Sequence, residues 1–289
     1  MRNFEFVHPA SLTEAVGLLH SADESTRAFS GGTALMLMMK TGLYAPKRLI
    51  HLGALEARYS AIETDGEGGV FIGAAATLSS LEMSPVIVRS APVVAQSMKK
   101  LANVRVRNVA RVGGALAHGD PHMDLPPILA SLGGELLLCG PDGERTCPVE
   151  FFYTGYLETR LLQGELITGV RLPPQGGWCS AYVKCTTRAA DDWPTVGVAV
   201  SLRIVSGAIA DARIMVGAAT ERLTRLTAAE AALRSGVPDA AAFARAADAA
   251  AAEAVTVDSA SGSAGYKTEL LRVYVRRTLA EALLNGAVQ

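Results

Sequence analysis

Cysteine is scarce in this chain, and what there is forms no metal or cluster framework. Its four thiols, Cys139, Cys147, Cys179 and Cys185, include no C-x-x-C pair. That spacing excludes zinc ribbons and iron–sulfur sites and reads as reduced structural thiols. A charge imbalance is missing too. Lys plus Arg number 27 against 28 Asp plus Glu, a net charge of −1, so no global pull toward nucleic acid or an anionic membrane is expected. No apolar run approaches the ~20 residues of a membrane span. The opening "MRNFEFVHPASL" has no signal-type apolar core. Together these absences point to a cytoplasmic chain.

What is present is enough apolar sequence for buried cores: 49% of 289 residues, room for one large domain or two to three smaller ones. Short strands and helices alternate. "SLTEAVGLL" opens with Ser11 and Glu14 in capping-box spacing, predicting a helix. "TRAFS" reads as a strand and "ALMLMMKTG" as a helix ending near Gly42. "KRLIHL" and "GVFIGAAAT" read as strands and "PVVAQSMKKLAN" as a helix. "GELLLCGPDGERTCPV" reads as a hairpin turning at Pro141-Asp142-Gly143. After "RLPPQGG" (Arg171 to Gly177) strands return, followed by Ala-rich helical sequence over 228–254. The Pro-Pro-Gln-Gly-Gly stretch is the main expected domain boundary, with a weaker one over 52–59.

Two glycine pairs carry the functional signal. Ser30-Gly31-Gly32-Thr33 sits where a strand turns into a helix, a geometry that exposes backbone N–H groups and lets a phosphate approach. It is neither G-x-G-x-x-G nor a P-loop, since the Walker lysine is absent. A plain turn is the alternative reading. In "NVRVRNVARVGGALAHGDPHMDLPP", Gly113-Gly114 follows an Arg-rich segment that reads as extended. Two such nests could grip the two ends of a dinucleotide diphosphate. In the same stretch His118, Asp120, His122 and Asp124 have metal-ligand chemistry, but Gly119 and Pro121 argue against the helix that would align the imidazoles. They read as loop polar groups, with no metal expected.

"SGGTALMLMMK", "VRNVARVGGALAHGDPHMDLPPILASLGGELLL", "FFYTGYLETRLLQGELITGVRLP" and "GWCSAYVKCTTRAADDWPTVGVAV" together resemble the FAD-binding medium subunit of molybdenum hydroxylases, the carbon monoxide dehydrogenase and xanthine dehydrogenase family. The resemblance spans nearly the whole chain. It implies an α+β fold: a PCMH/VAO-type FAD-binding domain over 1–176, with subdomains of about 1–56 and 57–176, and a C-terminal α+β domain of the CO dehydrogenase flavoprotein type over 177–289. It further implies a heterotrimer that dimerises, with molybdopterin on a large subunit and two [2Fe–2S] clusters on a small one. This chain would be the electron exit through FAD.

Carried over by position, Gly31, Gly32, Thr33, Ala34 and Leu35 match the family's first FAD loop, and Val112, Gly113, Gly114, Ala115 and Leu116 the second. Thr77, Leu101, Asp124, Ile167 and Lys184 match further positions around the cofactor. Lys184 has two readings, a cation near the flavin's N1–C2=O edge that favours the anionic reduced flavin, or a surface lysine on a strand. Asp124 has a second reading, as cap of the helix "LPPILASL". The family's second loop often reads Thr-Ile-Gly-Gly-Asn, whereas this chain has Arg111-Val112-Gly113-Gly114-Ala115. Arg111 therefore has two readings, a phosphate partner or a solvent-facing side chain. Trp193 likewise reads as a cover on the flavin ring or as ordinary packing. The rival functions are a stand-alone FAD oxidoreductase of the same fold, for which no substrate base or covalent flavin link is evident, and a non-catalytic nucleotide-binding module.

Overall fold

The computed structural model describes residues 3–53, 55–234 and 236–287. The N-terminal part opens with an all-parallel three-stranded sheet in which Arg48–His51 lies between Glu5–Val7 and Thr26–Phe29. Parallel strands require crossovers, which the helices Leu12–His20 and Leu35–Thr41 supply. Ser11 caps the first of these by accepting from the Glu14 N–H, as the capping-box spacing predicts. Gly42, in a left-handed conformation, ends the second.

A five-stranded antiparallel sheet follows, in the order Ile62–Thr64, Val70–Gly73, Leu166–Leu172, Glu135–Gly140, Gly143–Pro148. The last two strands form the expected hairpin, with Gly140 paired to Gly143. Short helices cover this sheet, and Leu136, Leu138, Val170 and Leu172 lie in the core beneath them. One expectation fails here. Val104–Val109 is a helix, capped by the Asn103 side chain, where an extended segment was anticipated. The Asn103 cap outweighs the extended preference of the β-branched Val104, Val106 and Val109.

The third sheet is antiparallel: Trp178–Thr186, Pro194–Val205, Ala208–Gly217 and Thr224–Arg225. Its central strand is buried on both faces. Val196, Val198, Val200 and Leu202 face the helices Ala240–Glu253 and Ala264–Ala287, while Ala199 joins the core of the preceding sheet. That second face is reached through the helix Leu125–Ser131, every residue of which is buried. The Ala-rich region contains the helices Thr227–Ala231 and Ala240–Glu253. The long helix Ala264–Ala287 buries Leu271, Val275, Leu279 and Ala282 along one stripe. Among the described residues no helix is long and apolar enough to cross a membrane. All four cysteines are free thiols.

Candidate functional site

The first glycine pair packs against the segment that leads into the second. Strand Thr26–Phe29 runs into Ser30-Gly31-Gly32, and Gly32 has φ +69°, a backbone that L side chains rarely adopt. Gly31 is pressed against the second segment. A Cβ built on it would lie 2.1 Å from the carbonyl oxygen of Val109 and 2.9 Å from Cα of Ala110. Thr33 and Ala34 then lead into the helix that starts at Leu35. Ala34 provides no side-chain cap.

On the other side Gly113 and Gly114 lie inside a short helix, Val112–Ala117. The Gly113 N–H donates to the Ala74 carbonyl at 2.8 Å, and a Cβ at Gly113 would meet the Ala74 methyl at 2.8 Å. Gly114 is different, because a Cβ there would meet nothing within 4 Å. Val112, Ala115 and Leu116 are buried in the core, so their side chains hold this helix in place. Thr77 caps the helix Leu78–Met83 through its hydroxyl and pairs by backbone with Arg111. Arg111 takes neither of its expected roles alone: Nη1 donates to the Ala75 carbonyl at 2.7 Å, fixing the guanidinium within the site.

Between the parallel sheet and the five-stranded sheet lies a cavity of about 700 Å³, with Ala28, Ser30, Gly113, Gly114 and Ile167 on its walls. Ile167 reaches it at an irregularity in the pairing of its strand with Glu135–Gly140. Ser30 Oγ is buried without a hydrogen-bond partner. A buried hydroxyl left unpaired is costly. Here it borders a cavity floored by a glycine with open space above it. A hydroxyl-rich or phosphate-bearing ligand fits that pair of features. His51, at the end of its strand against Phe29, also has Nδ1 buried without a partner, and burial, His8 and Arg111 push it below the usual histidine range.

A second group of expected residues gathers elsewhere, around the loop 118–124. Asp124 occupies the N-cap position of Leu125–Ser131 but does not cap it. A capping carboxylate accepts from the second or third helical N–H, and both of those positions are proline, Pro126 and Pro127. The carboxylate is thereby free for other partners. Oδ1 accepts from Tyr182 Oη at 2.5 Å and Oδ2 from Lys184 Nζ at 3.1 Å. Lys184 Nζ also donates to the Asp192 carbonyl at 2.9 Å. The side chains of Lys184 and Asp124 are only 6% and 7% exposed. Burial raises Asp124 above the usual carboxylate range against the opposing pull of Lys184 and Tyr182. Burial, with the Asp124 charge, likewise lifts the Tyr182 phenol.

Leu101 and Ala102 reach the same place. Ala102 has φ +48°, and its N–H donates to the Asp191 carbonyl at 3.2 Å. Trp193, 57% exposed, stacks on His122 with ring centroids 5.9 Å apart and planes 18° apart. His122 Nδ1 is 2.8 Å from Asp120 Oδ1. Burial works to raise Asp120, but its bonds to His122 prevail and hold it below its ordinary value. Burial lowers His118. Asp120 and His122 are thus paired with each other, while Asp124 is turned toward the third sheet.

Sequence reasoning missed three participants. Arg107 is buried, pairs with Glu82 at 3.0 Å and donates to the carbonyls of Leu101 and Ala102, pinning the left-handed turn. Tyr182 and Ser30 were also missed. Tyr182 had a signal, since it stands two residues from Lys184 in a strand and therefore on the same face. Arg107 and Ser30 had none, because their roles depend on what packs beside them.

Residues 2–175 match the family model described as the FAD binding domain in molybdopterin dehydrogenase, and residues 181–282 match that of the CO dehydrogenase flavoprotein C-terminal domain. The carbon monoxide dehydrogenase medium chain of Hydrogenophaga pseudoflava is 32% identical over 279 residues, covering 96% of each chain. The nicotine 6-hydroxylase medium subunit of Paenarthrobacter nicotinovorans is 31% identical, again over 96% of each. Among solved structures, carbon monoxide dehydrogenase from Hydrogenophaga pseudoflava superposes with a TM-score of 0.94 at 33% identity, covering 98% of both chains. Quinoline 2-oxidoreductase from Pseudomonas putida 86 gives 0.91 at 26% identity over 97% of both.

Proposed function

The chain belongs to the family of FAD-binding medium subunits of molybdenum hydroxylases, and from that membership we propose the roles of its individual residues. It is the flavoprotein subunit of an oxidoreductase in which electrons from molybdenum and [2Fe–2S] clusters on partner subunits leave through FAD to an external acceptor. Its partners are a large molybdopterin subunit and a small iron–sulfur subunit. We assign the assembly as a dimer of heterotrimers, in the cytoplasm. The FAD-binding domain is assigned to 1–176, divided near residue 56, and the C-terminal domain to 177–289.

The observation that carries the site assignment is one cavity wall that holds both the unpartnered Ser30 hydroxyl and the open face of Gly114, beside the contact of Gly31 with the segment leading into the second glycine pair. Ser30, Gly31, Gly32 and Gly114 would hold the FAD diphosphate by backbone N–H and hydroxyl donors, with Gly113, its own N–H bonded to the Ala74 carbonyl, letting the helix start approach closely and Arg111 at the same junction supplying positive charge. Lys184, Asp124, Leu101 and Trp193 are assigned to the ring end. FAD, when bound, supplies the two-electron to one-electron redox chemistry that protein side chains lack. The chain's own part is to hold it and set the charge around it.

The test is co-expression with partner subunits followed by flavin analysis. One non-covalent FAD per chain, released by acid or heat, is expected. A folded, assembled chain without FAD would refute the reading. The isolated FAD-loaded chain should oxidise no organic substrate, and robust turnover by it would favour a stand-alone oxidoreductase.

A further inference from the structure

We propose that Tyr182 is a positioning residue for the Lys184 ammonium and acts through the Asp124 carboxylate. The proposal rests on the assignment of Lys184 to the flavin's ring end and adds to it the residue that holds Lys184 there.

The geometry begins with strand periodicity. Tyr182 and Lys184, two apart in Trp178–Thr186, project from one face of the sheet. Both reach the single carboxylate of Asp124, one to each oxygen: the phenol to Oδ1 at 2.5 Å, the ammonium to Oδ2 at 3.1 Å. Asp124 is available because Pro126 and Pro127 leave its helix without the N–H groups a cap would serve. Across the sheet the partner strand makes room. Lys184 pairs with Gly197, and a Cβ on Gly197 would fall 2.5 Å from Tyr182 Oη. Any other residue at 197 would displace the hydroxyl from the carboxylate.

An ammonium has three donors. Asp124 and the Asp192 carbonyl take two of those on Lys184, and the third is left for a ligand. The direction of that third donor follows from where the other two are anchored. Asp124 in turn is anchored on its far oxygen by Tyr182 alone. Without the phenol, a buried carboxylate loses a charge-assisted hydrogen bond and is more easily protonated. A neutral Asp124 holds Lys184 less firmly and no longer offsets its charge. Lys184 and Tyr182, both on the third sheet, are the charged and titratable groups that face Asp124.

The test uses Tyr182→Phe in the full chain, with two readouts that activity does not enter. The first is titration of the Asp124 carboxyl by carbon NMR. Its midpoint is expected to rise by about one to two pH units, the worth of one hydrogen bond to a charged acceptor. The second is the flavin midpoint potential of the assembled holoenzyme as a function of pH, in which the break caused by Asp124 should move upward with it. Gly197→Ala, which keeps the phenol ring but displaces its hydroxyl, should move both in the same direction and serves if Tyr182→Phe does not fold. An unmoved titration in either folded variant would overturn the proposal, as would a moved titration with an unmoved potential. Failure of the wild-type complex to carry FAD would instead overturn the parent assignment, and the NMR titration separates the two.

Discussion

Gly31 and Val109 stand in backbone contact: a single methyl group on Gly31 would sit 2.1 Å from the Val109 carbonyl oxygen. The loop after the second strand of the parallel sheet thus closes directly on the segment that introduces the second glycine pair. The first glycine of the first nest serves the packing of protein on protein, whatever its N–H does for a ligand. This separates four glycines that look alike in sequence into different experiments.

Gly31→Ala should destabilise the chain, because backbone on both sides leaves nothing flexible to yield. A loss of roughly 1–3 kcal/mol, the range for overpacking, is expected in urea denaturation of the flavin-free chain. Unchanged stability would mean that the two loops separate without cost.

Gly114→Ala should act with opposite signs on stability and on binding. The residue lies in a helix with open space at its Cβ position, so alanine should raise the stability of the flavin-free chain by about 0.5–1 kcal/mol. The same methyl group intrudes on the assigned diphosphate position, and Gly114→Val more so, so FAD retention should fall in that order. Equal flavin content in wild type and both variants would remove Gly114 from the site.

Lys184→Met keeps most of the side-chain volume, but it leaves Asp124 buried without its cation, so its cost should exceed that of lost packing. At neutral pH about 3–5 kcal/mol is expected, the range for breaking a buried pair. Asp124 is already raised by burial. An acid whose folded value is raised contributes stability that is full below its unfolded value and is lost as pH rises through the folded one. The deficit of Lys184→Met should therefore grow from acid to neutral pH, and Asp124→Asn combined with Lys184→Met should recover much of it. In the holoenzyme Lys184→Met alone should lower the flavin midpoint potential, with a smaller shift in the double variant. Redox titration and urea denaturation at two pH values check both.

Arg107→Ala should release the turn at Leu101 and Ala102. It removes the donor to both carbonyls and leaves Glu82 unpaired, so a loss of roughly 3 kcal/mol is expected. Faster hydrogen exchange at the Ala102 amide, which donates to Asp191, would report the local loosening. A protected amide in the folded variant would show that the turn is held by other means.

Acid should loosen one wall of the cavity. Glu165 accepts two bonds from the Arg145 guanidinium, at 2.6 and 2.7 Å, and one from the Leu162 N–H. Arg145, aided by the Leu162 bond, holds Glu165 below its ordinary value. A carboxylate depressed on folding contributes stability that is present above its unfolded value and is lost as pH falls through the folded one. Protection of the amides over 161–165, relative to their intrinsic exchange rates at each pH, should fall as the solution is acidified, and Glu165→Gln should already show low protection at neutral pH. An acid-insensitive wild type would refute the role.

Much of this protein was written in local sequence. The strands Thr26–Phe29 and Arg48–His51, the Ser11 cap, the Gly42 stop and the 140–143 turn follow from propensities and backbone freedom, which act within a few residues of one another. The order of the motif-bearing segments likewise pointed to the family. The cap reading of Asp124 failed although two prolines after it, which remove the donors a cap would need, stand in the sequence itself. Tertiary structure decided the rest. It made Val104–Val109 a helix, gave the four glycines different duties, paired Lys184 with a residue 60 positions away and left Ser30 Oγ without a partner beside the cavity. Those outcomes depend on which distant groups share a low-dielectric space, and a pattern confined to neighbours along the chain does not carry that information.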